Sequence, residues 1–383
     1  MPHTLPETQV KIPFNGSPRP TLGVELEVQL IDPETCNLTS GSVEILDQLG
    51  AHPKIKQELT QSTVEIVTGI CNDVADTTAD LRASFQELYE HVDARGIAIS
   101  SAGTHPFAQW RNQAIFPNQR YQMLVERIQW PARRLLIYGL HVHVGVGSGE
   151  KAIAINNALC TYIPDLLALS ASSPFIDFED TGLASARSKI FEAMPTAGLP
   201  VRLANYGEFQ VFMNTLIRAG TIESVREIWW DIRPHPDFGT IEVRVCDAPR
   251  TLGEVAALTA LIQCLVVWID DHYEHGLHRE LLQPWIVREN KWRATRHGLD
   301  AEIIVNNRGD QQKLRDRIPE LLDTLEPIAH QLTCYAELQE CRTLLDDGAS
   351  YIRQRVIHRE TGSLAEVVRS LMHDFRASVF EKG

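Results

Sequence analysis

The sequence predicts an α+β fold in which a mainly antiparallel sheet of about six strands carries helices on one face. Three observations predict it. Runs of strict apolar and polar alternation recur at residues 21–31, 136–146 and 239–246, and alternation with period two marks a half-buried strand. Strands come in pairs with long helical excursions between them, the pattern of antiparallel neighbours and not of repeated parallel units. The chain also has the material for a large core, with 383 residues, 44% hydrophobic and 22% charged, close to the globular average.

Taken in order, residues 1–20 are polar and proline-rich without an apolar signal-like run, and read as a flexible N-terminal arm. Residues 21–383 read as a single domain with a helical C-terminal third. In TLGVELEVQLI, Val24, Leu26, Val28 and Leu30 take one face and Glu25, Glu27 and Gln29 the other. A DPET turn, a short helix over 42–49 and two β-like runs over 53–59 and 62–68 follow. A helix is expected over 73–95 and a strand over 96–102. The run 136–146 alternates again, with Tyr138, Leu140, Val142 and Val144 opposed to His141 and His143. Helices fill about 149–220. Strands over 226–233 and 239–246 are joined by PHPDFG as a hairpin. Beyond Thr251 the pattern is helical, with breaks near Pro284, Gly309, Pro327 and Gly348.

The 36 Lys and Arg against 50 Asp and Glu give a formal charge of −14, which argues against nucleic acid and anionic lipid as partners. Seven cysteines without a C-x-x-C pair suggest neither a disulfide framework nor structural zinc, and fit a reducing, cytoplasmic compartment. The apolar stretch 255–269 is too short for a bilayer and contains Thr259 and Gln263, so it reads as a buried helix. Apolar stripes in the C-terminal helices suit a homodimer and intramolecular packing equally.

The chemistry lies opposite the apolar faces, where Glu25 and Glu27, His141 and His143, and Glu242 and Arg244 stand at i, i+2 spacing. One such strand is an ordinary wet face. Together they show Glu, His and Arg without a single Lys. Three carboxylates and two imidazoles on a shared sheet would repel or protonate unless neutralised, and a carboxylate-rich set with few histidines favours magnesium or manganese over zinc. Glu58 and Glu65, in the neighbouring β-like runs, could complete the set. Gly145, Gly147 and Gly149 do not make a phosphate loop, because Glu150 and Lys151 follow in place of G-K-[ST]. Cys246 falls beside Arg244 by alternation and reads as a packing residue. His105 and His235 read as turn residues, and Trp229 and Trp230 as core and rim aromatics.

GVELEVQLIDPET, QSTVEIVTGIC, GLHVHVGV, LSASSPF with DTGLASARS, and WWDIRPHPDFGTIEVRVCD resemble, in this order, the blocks of the glutamate-cysteine ligase type 2 family. The likeness runs from about residue 22 to 269 and less distinctly beyond. It implies a glutamine-synthetase-like catalytic domain that uses ATP and Mg²⁺ (or Mn²⁺). Such an enzyme activates the side-chain carboxylate of glutamate as an acyl phosphate and joins it to an amine such as cysteine, so its partners are small molecules. The resemblance further implies that Glu27, Glu58 and Glu65 hold one ion and that Glu25, His141 and Glu242 hold a second. Arg244, catalytic together with Glu242, would face the transferring phosphoryl group, and His143 the nucleotide. Arg187 and Arg233 are the candidates for the substrate carboxylate.

Three other readings compete. A zinc metallohydrolase would use the H-x-H pair, but the later strand offers Glu242 and Arg244 where further His or Asp is wanted. A guanidino-kinase type of phosphotransferase would keep the same carboxylates and arginine without a second substrate. A non-catalytic ATP- or metabolite-binding relative would be expected to have lost some of these residues, and none is missing.

Overall fold

The computed structural model describes residues 11–277 and 280–381. Strand β1 (Leu22–Ile31) buries Leu22, Val24, Leu26 and Val28 in the main core and leaves Glu25 and Glu27 half-buried on the other face. Strands β2 (Ile55–Gln57) and β3 (Thr63–Val67) pair with each other, β3 pairs with β1, and β4 (Ala98–Ser100) pairs with the C-terminal end of β1. Strand β5 (Gly139–Gly145) lies on the other side of β1. A small hairpin, β6 (Phe175–Ile176) and β7 (Glu179–Asp180), stands apart from the main sheet. With β8 (Ile232–His235) and β9 (Thr240–Asp247), the main sheet has the order β2-β3-β1-β5-β9-β8, with β4 beside β1. Every pairing in it is antiparallel. A last hairpin joins β10 (Glu302–Ile304) to β11 (Gln311–Lys313).

The apolar face of this sheet is covered by helices. Leu252–Glu274, apolar all round, packs on β5 and on the helices Val74–Asp93, Gly149–Leu159 and Tyr335–Asp346. Each Leu or Val so buried contributes about 1.5–3 kcal/mol. Two stretches, Gly149–Ser170 and Leu252–Glu274, are long and apolar enough to cross a bilayer, so the short apolar run read over 255–269 understated the helix. Most of each is buried inside the fold, where protein side chains take up the apolar surface.

The structure shifts several expected elements. The strand expected over 226–233 begins only at Ile232, after a 3-10 turn over Val225–Glu227. Pro234 and His235 belong to the strand, and the turn shrinks to 236–239. Pro234 is tolerated because β8 is the edge of the sheet, where a missing N–H can face outward. The break near Gly309 is the β10–β11 hairpin. Pro327 lies inside Leu314–Gln331, where buried Leu325 and Ala329 hold both sides of it in the core and packing outweighs the lost hydrogen bond. Between 171 and 205 the chain is largely non-helical, with only Ala186–Phe191 as a short helix.

The segment expected as an arm lies outside the described residues over 1–10. From Lys11 on it is held. The Asn15 N–H donates to the Pro236 carbonyl at 3.0 Å and the Ser17 N–H to that of Val146 at 2.9 Å. Gly145 makes this possible, since a Cβ there would stand 2.6 Å from the Arg19 carbonyl oxygen.

Candidate active site

The polar face of the sheet carries the ionisable residues as direct cross-strand neighbours. Glu27 opposes Glu65 across β1 and β3, Glu25 opposes His141 across β1 and β5, His143 opposes Glu242 across β5 and β9, and Glu242 opposes Arg233 across β9 and β8. Register alone therefore draws residues from distant parts of the chain together.

At one end of this face every carboxylate has a side-chain partner, guanidinium groups for Glu242 and imidazoles for Glu25. Glu242 is fully buried. It accepts from Arg233 Nε at 2.6 Å and Nη2 at 3.2 Å, and from Arg244 Nη1. Burial alone would raise its pKa, but the two guanidinium groups overturn that and hold it well below the ordinary value. Glu25 lies 3.0 Å from His141 Nδ1 and 3.3 Å from His143 Nε2, and these bonds likewise outweigh burial and lower its pKa. Burial, with Arg244 beside it, depresses His141 to about 4. Arg244 Nη1 also stands 3.4 Å from His141 Nδ1, so the guanidinium occupies the space between His141 and Glu242.

The other end lacks such partners. Glu27, Glu58 and Glu65 each offer an oxygen within 4.8 Å of the others, and none has an ion pair among the described residues. Burial, then Glu58, raises Glu27 to about 8. Burial and the neighbouring carboxylates raise Glu58 and Glu65 as well. Three hard oxygen donors converging without a cation fit a divalent ion such as magnesium or manganese. Glu25, His143 and Glu242 form a second such group, and Glu25, Glu65 and His141 a third. The set expected for the second ion is thus split, with His141 and Glu242 in different groups and Arg244 between them.

A β-bulge shapes the centre. Between Leu140 and Val142 the partner strand advances from Cys246 to Val243, one residue more. Alternation in the sequence places Cys246 on the face of Arg244; the bulge turns it into the main core and brings Asp247 toward Gly139 on the site side. Asp247 is buried and accepts from the Ser172 N–H and the hydroxyls of Ser173 and Ser185. Arg187 donates to the bulge carbonyls of Arg244 at 3.2 Å and Val245 at 3.4 Å. It lies flat on Gly139, where a Cβ would stand 2.1 Å from its Nη2. The Gly139 N–H in turn donates to Glu27 at 2.6 Å.

A cavity of about 620 Å³ opens from this centre, with Glu27, Glu58, His141, Arg187 and Arg244 at its inner end. Arg187, expected on the substrate side, lines it. Arg233 does not. Besides its bonds to Glu242, it donates to the carbonyls of Arg226 and Ile228, which makes it a brace for Glu242 and corrects its expected contact with substrate. His235, expected in a turn, stacks on Phe238 at 4.1 Å and meets His143 edge-on at 5.5 Å. The outer wall comes from Gln119–Ile128, Leu135, Ile137 and Trp229. That helix escaped the sequence reading, although Asn118, which accepts the Arg120 N–H as its N-cap, is a start signal.

The model of the glutamate-cysteine ligase family 2 (GCS2) matches residues 21–370. The chain belongs to that family. A provisionally named glutamate–cysteine ligase 2 of Thermobifida fusca is 50% identical, over 96% of this chain and 93% of that one. A similarly named protein of Frankia alni is 48% identical, over 95% and 97%. The crystal structure of glutamate–cysteine ligase from Francisella tularensis in complex with AMP superposes with a TM-score of 0.72 at 13% identity, covering 95% of this chain and 90% of that one. That likeness carries the fold alone, the mixed helix and antiparallel-sheet architecture described above. Family membership makes the chain an ATP-dependent carboxylate–amine ligase acting on small molecules.

Proposed function

We propose that the chain activates an amino-acid side-chain carboxylate, that of glutamate, as an acyl phosphate and passes the acyl group to an amine. The observation that carries this reading is the uncompensated Glu27–Glu58–Glu65 group beside Arg244 at the inner end of the cavity. A divalent cation held by these three glutamates, with Glu25, His143 and Glu242 able to hold another, would neutralise the phosphate oxygens that ATP brings.

Arg244 is aimed at the same centre by its bond to Glu242 and spreads the charge that develops on the phosphoryl group. A carboxylate oxygen bonds to the γ-phosphorus as the bond to ADP breaks. The amine nitrogen then attacks the acyl carbon, the carbon–oxygen bond breaks with its electron pair on phosphate, and the nitrogen loses a proton as the amide forms. No side chain becomes covalently bound. Nucleotide approaches past His143, where Phe238, 58% exposed, offers a flat face to a base. Arg187 lies at the inner cavity end, held by the bulge carbonyls, and its charge would face the substrate carboxylate there.

The test is hydroxamate formation from ATP, Mg²⁺, hydroxylamine and each of a set of acidic amino acids, because hydroxylamine traps an acyl phosphate whatever the natural amine. Hydroxamate with glutamate, lost in Glu27→Gln, is the expected result. Its absence with every acid would overturn the reading.

A further inference from the structure

The outer part of the cavity has a character unlike its inner end. The helix Gln119–Ile128 has no buried side chain, yet Met123, 49% exposed, and Leu124 line the cavity. Leu135, Ile137, Phe191 and Trp229 face them across it, all only half-buried. An amphipathic helix normally spends its apolar residues on a core. Here they stand over a cavity that leads directly to the phosphoryl centre.

Charge at the rim leans acidic, with Arg120 as the one lining cation that has no ion pair among the described residues. Arg127 is paired with Glu227 at 2.9 Å, whereas Glu126 and Glu223, which also line the cavity, have no ion pair among the described residues. An amine arrives from water as an ammonium ion, and this acidic rim attracts it.

Resting on the ligase reading above, we propose that the amine substrate carries an apolar body of branched-aliphatic or aromatic size, seated between Met123 and Leu124 on one side and Leu135, Ile137 and Trp229 on the other. Cysteine would present one methylene and a thiol to this wall and leave most of it in water. An apolar amine covers it and gains with each carbon removed from water. The inner end, with Arg187, Arg244 and the glutamates, is left to the carboxylate and the phosphoryl group. The apolar wall thus sets which amine is used, and the polar end sets what is activated.

The experiment compares kcat/KM for cysteine, leucine, phenylalanine and phenethylamine as amines, with the acid that gives hydroxamate. At least one apolar amine is expected to exceed cysteine by about tenfold or more, and that ratio is expected to collapse toward unity in Met123→Glu and in Leu135→Gln. A ratio is read within one protein, so partial loss of folded enzyme cancels. Cysteine used as well as or better than every apolar amine, or a ratio unchanged by both substitutions, would overturn the inference while hydroxamate formation leaves the ligase reading standing. Absence of hydroxamate would remove both.

Discussion

Two carboxylate groups share one face of the sheet and are neutralised by opposite means. Glu25 and Glu242 are met by His141, His143, Arg233 and Arg244, and their pKa values lie below the ordinary range. Glu27, Glu58 and Glu65 have no ion pair among the described residues, and their pKa values are raised. Register places most members of both groups, with Glu58 just beyond the end of β2. What separates them is whether the protein itself supplies side-chain partners. A buried charge needs a partner, and the end at which the protein withholds one is the end at which a ligand must bring it.

Removing the central cation tests this division most severely. Arg244→Ala is expected to lower kcat for ligation by about 10³-fold or more, the scale of a lost charge-stabilising arginine in phosphoryl transfer. A loss under tenfold would mean that Arg244 only braces Glu242.

The same substitution made at each end should act in opposite directions on stability. Without divalent ions, Glu242→Gln strands Arg233 and Arg244 and is expected to cost about 3–5 kcal/mol in denaturant unfolding. Glu65→Gln, which relieves repulsion, should be neutral or stabilising by about 1 kcal/mol. Equal losses at both positions would break the comparison.

Adding Mg²⁺ sharpens it further. At about one hundred times its Kd, the ion should raise the unfolding free energy by about 2.7 kcal/mol relative to the chelated protein, and Glu65→Gln should abolish the gain. The smallest effect is expected at the nucleotide side, where Phe238→Ala should raise the KM for ATP about tenfold, the scale of one base–aromatic stack. Because Phe238 is exposed, its folding stability should not change, which thermal unfolding checks.

Much of this site is legible in the sequence because a strand keeps its faces apart every second residue. Val24, Leu26 and Val28 against Glu25 and Glu27 could hardly be arranged otherwise, and the same holds for Val142 and Val144 against His141 and His143. The rule fails beyond Arg244. A bulge is a mismatch between two strands and leaves no mark on either one alone, so Cys246 and Asp247 exchange faces unannounced. The helix Gln119–Ile128 carries a start signal at Asn118, but its apolar residues answer to a cavity and not to a core, and no pattern within the helix distinguishes the two. Arg187 and Arg233 read alike in sequence, each an arginine near serines or aromatics. Only the paths of β8 and β9 decide that one lines the cavity and the other is spent on Glu242.

The sequence by itself therefore determined the central strands β1, β5 and β9, their polar faces up to Arg244, the chemical types gathered there and the family, since all of these follow from local periodicity and from ordered motifs. The tertiary structure alone decided which carboxylates received an internal cation, where the sheet bulges and which apolar side chains remain uncovered beside the reacting centre. Those outcomes depend on distances between segments far apart in the chain, and charge compensation and burial are properties of such distances, not of the order of residues.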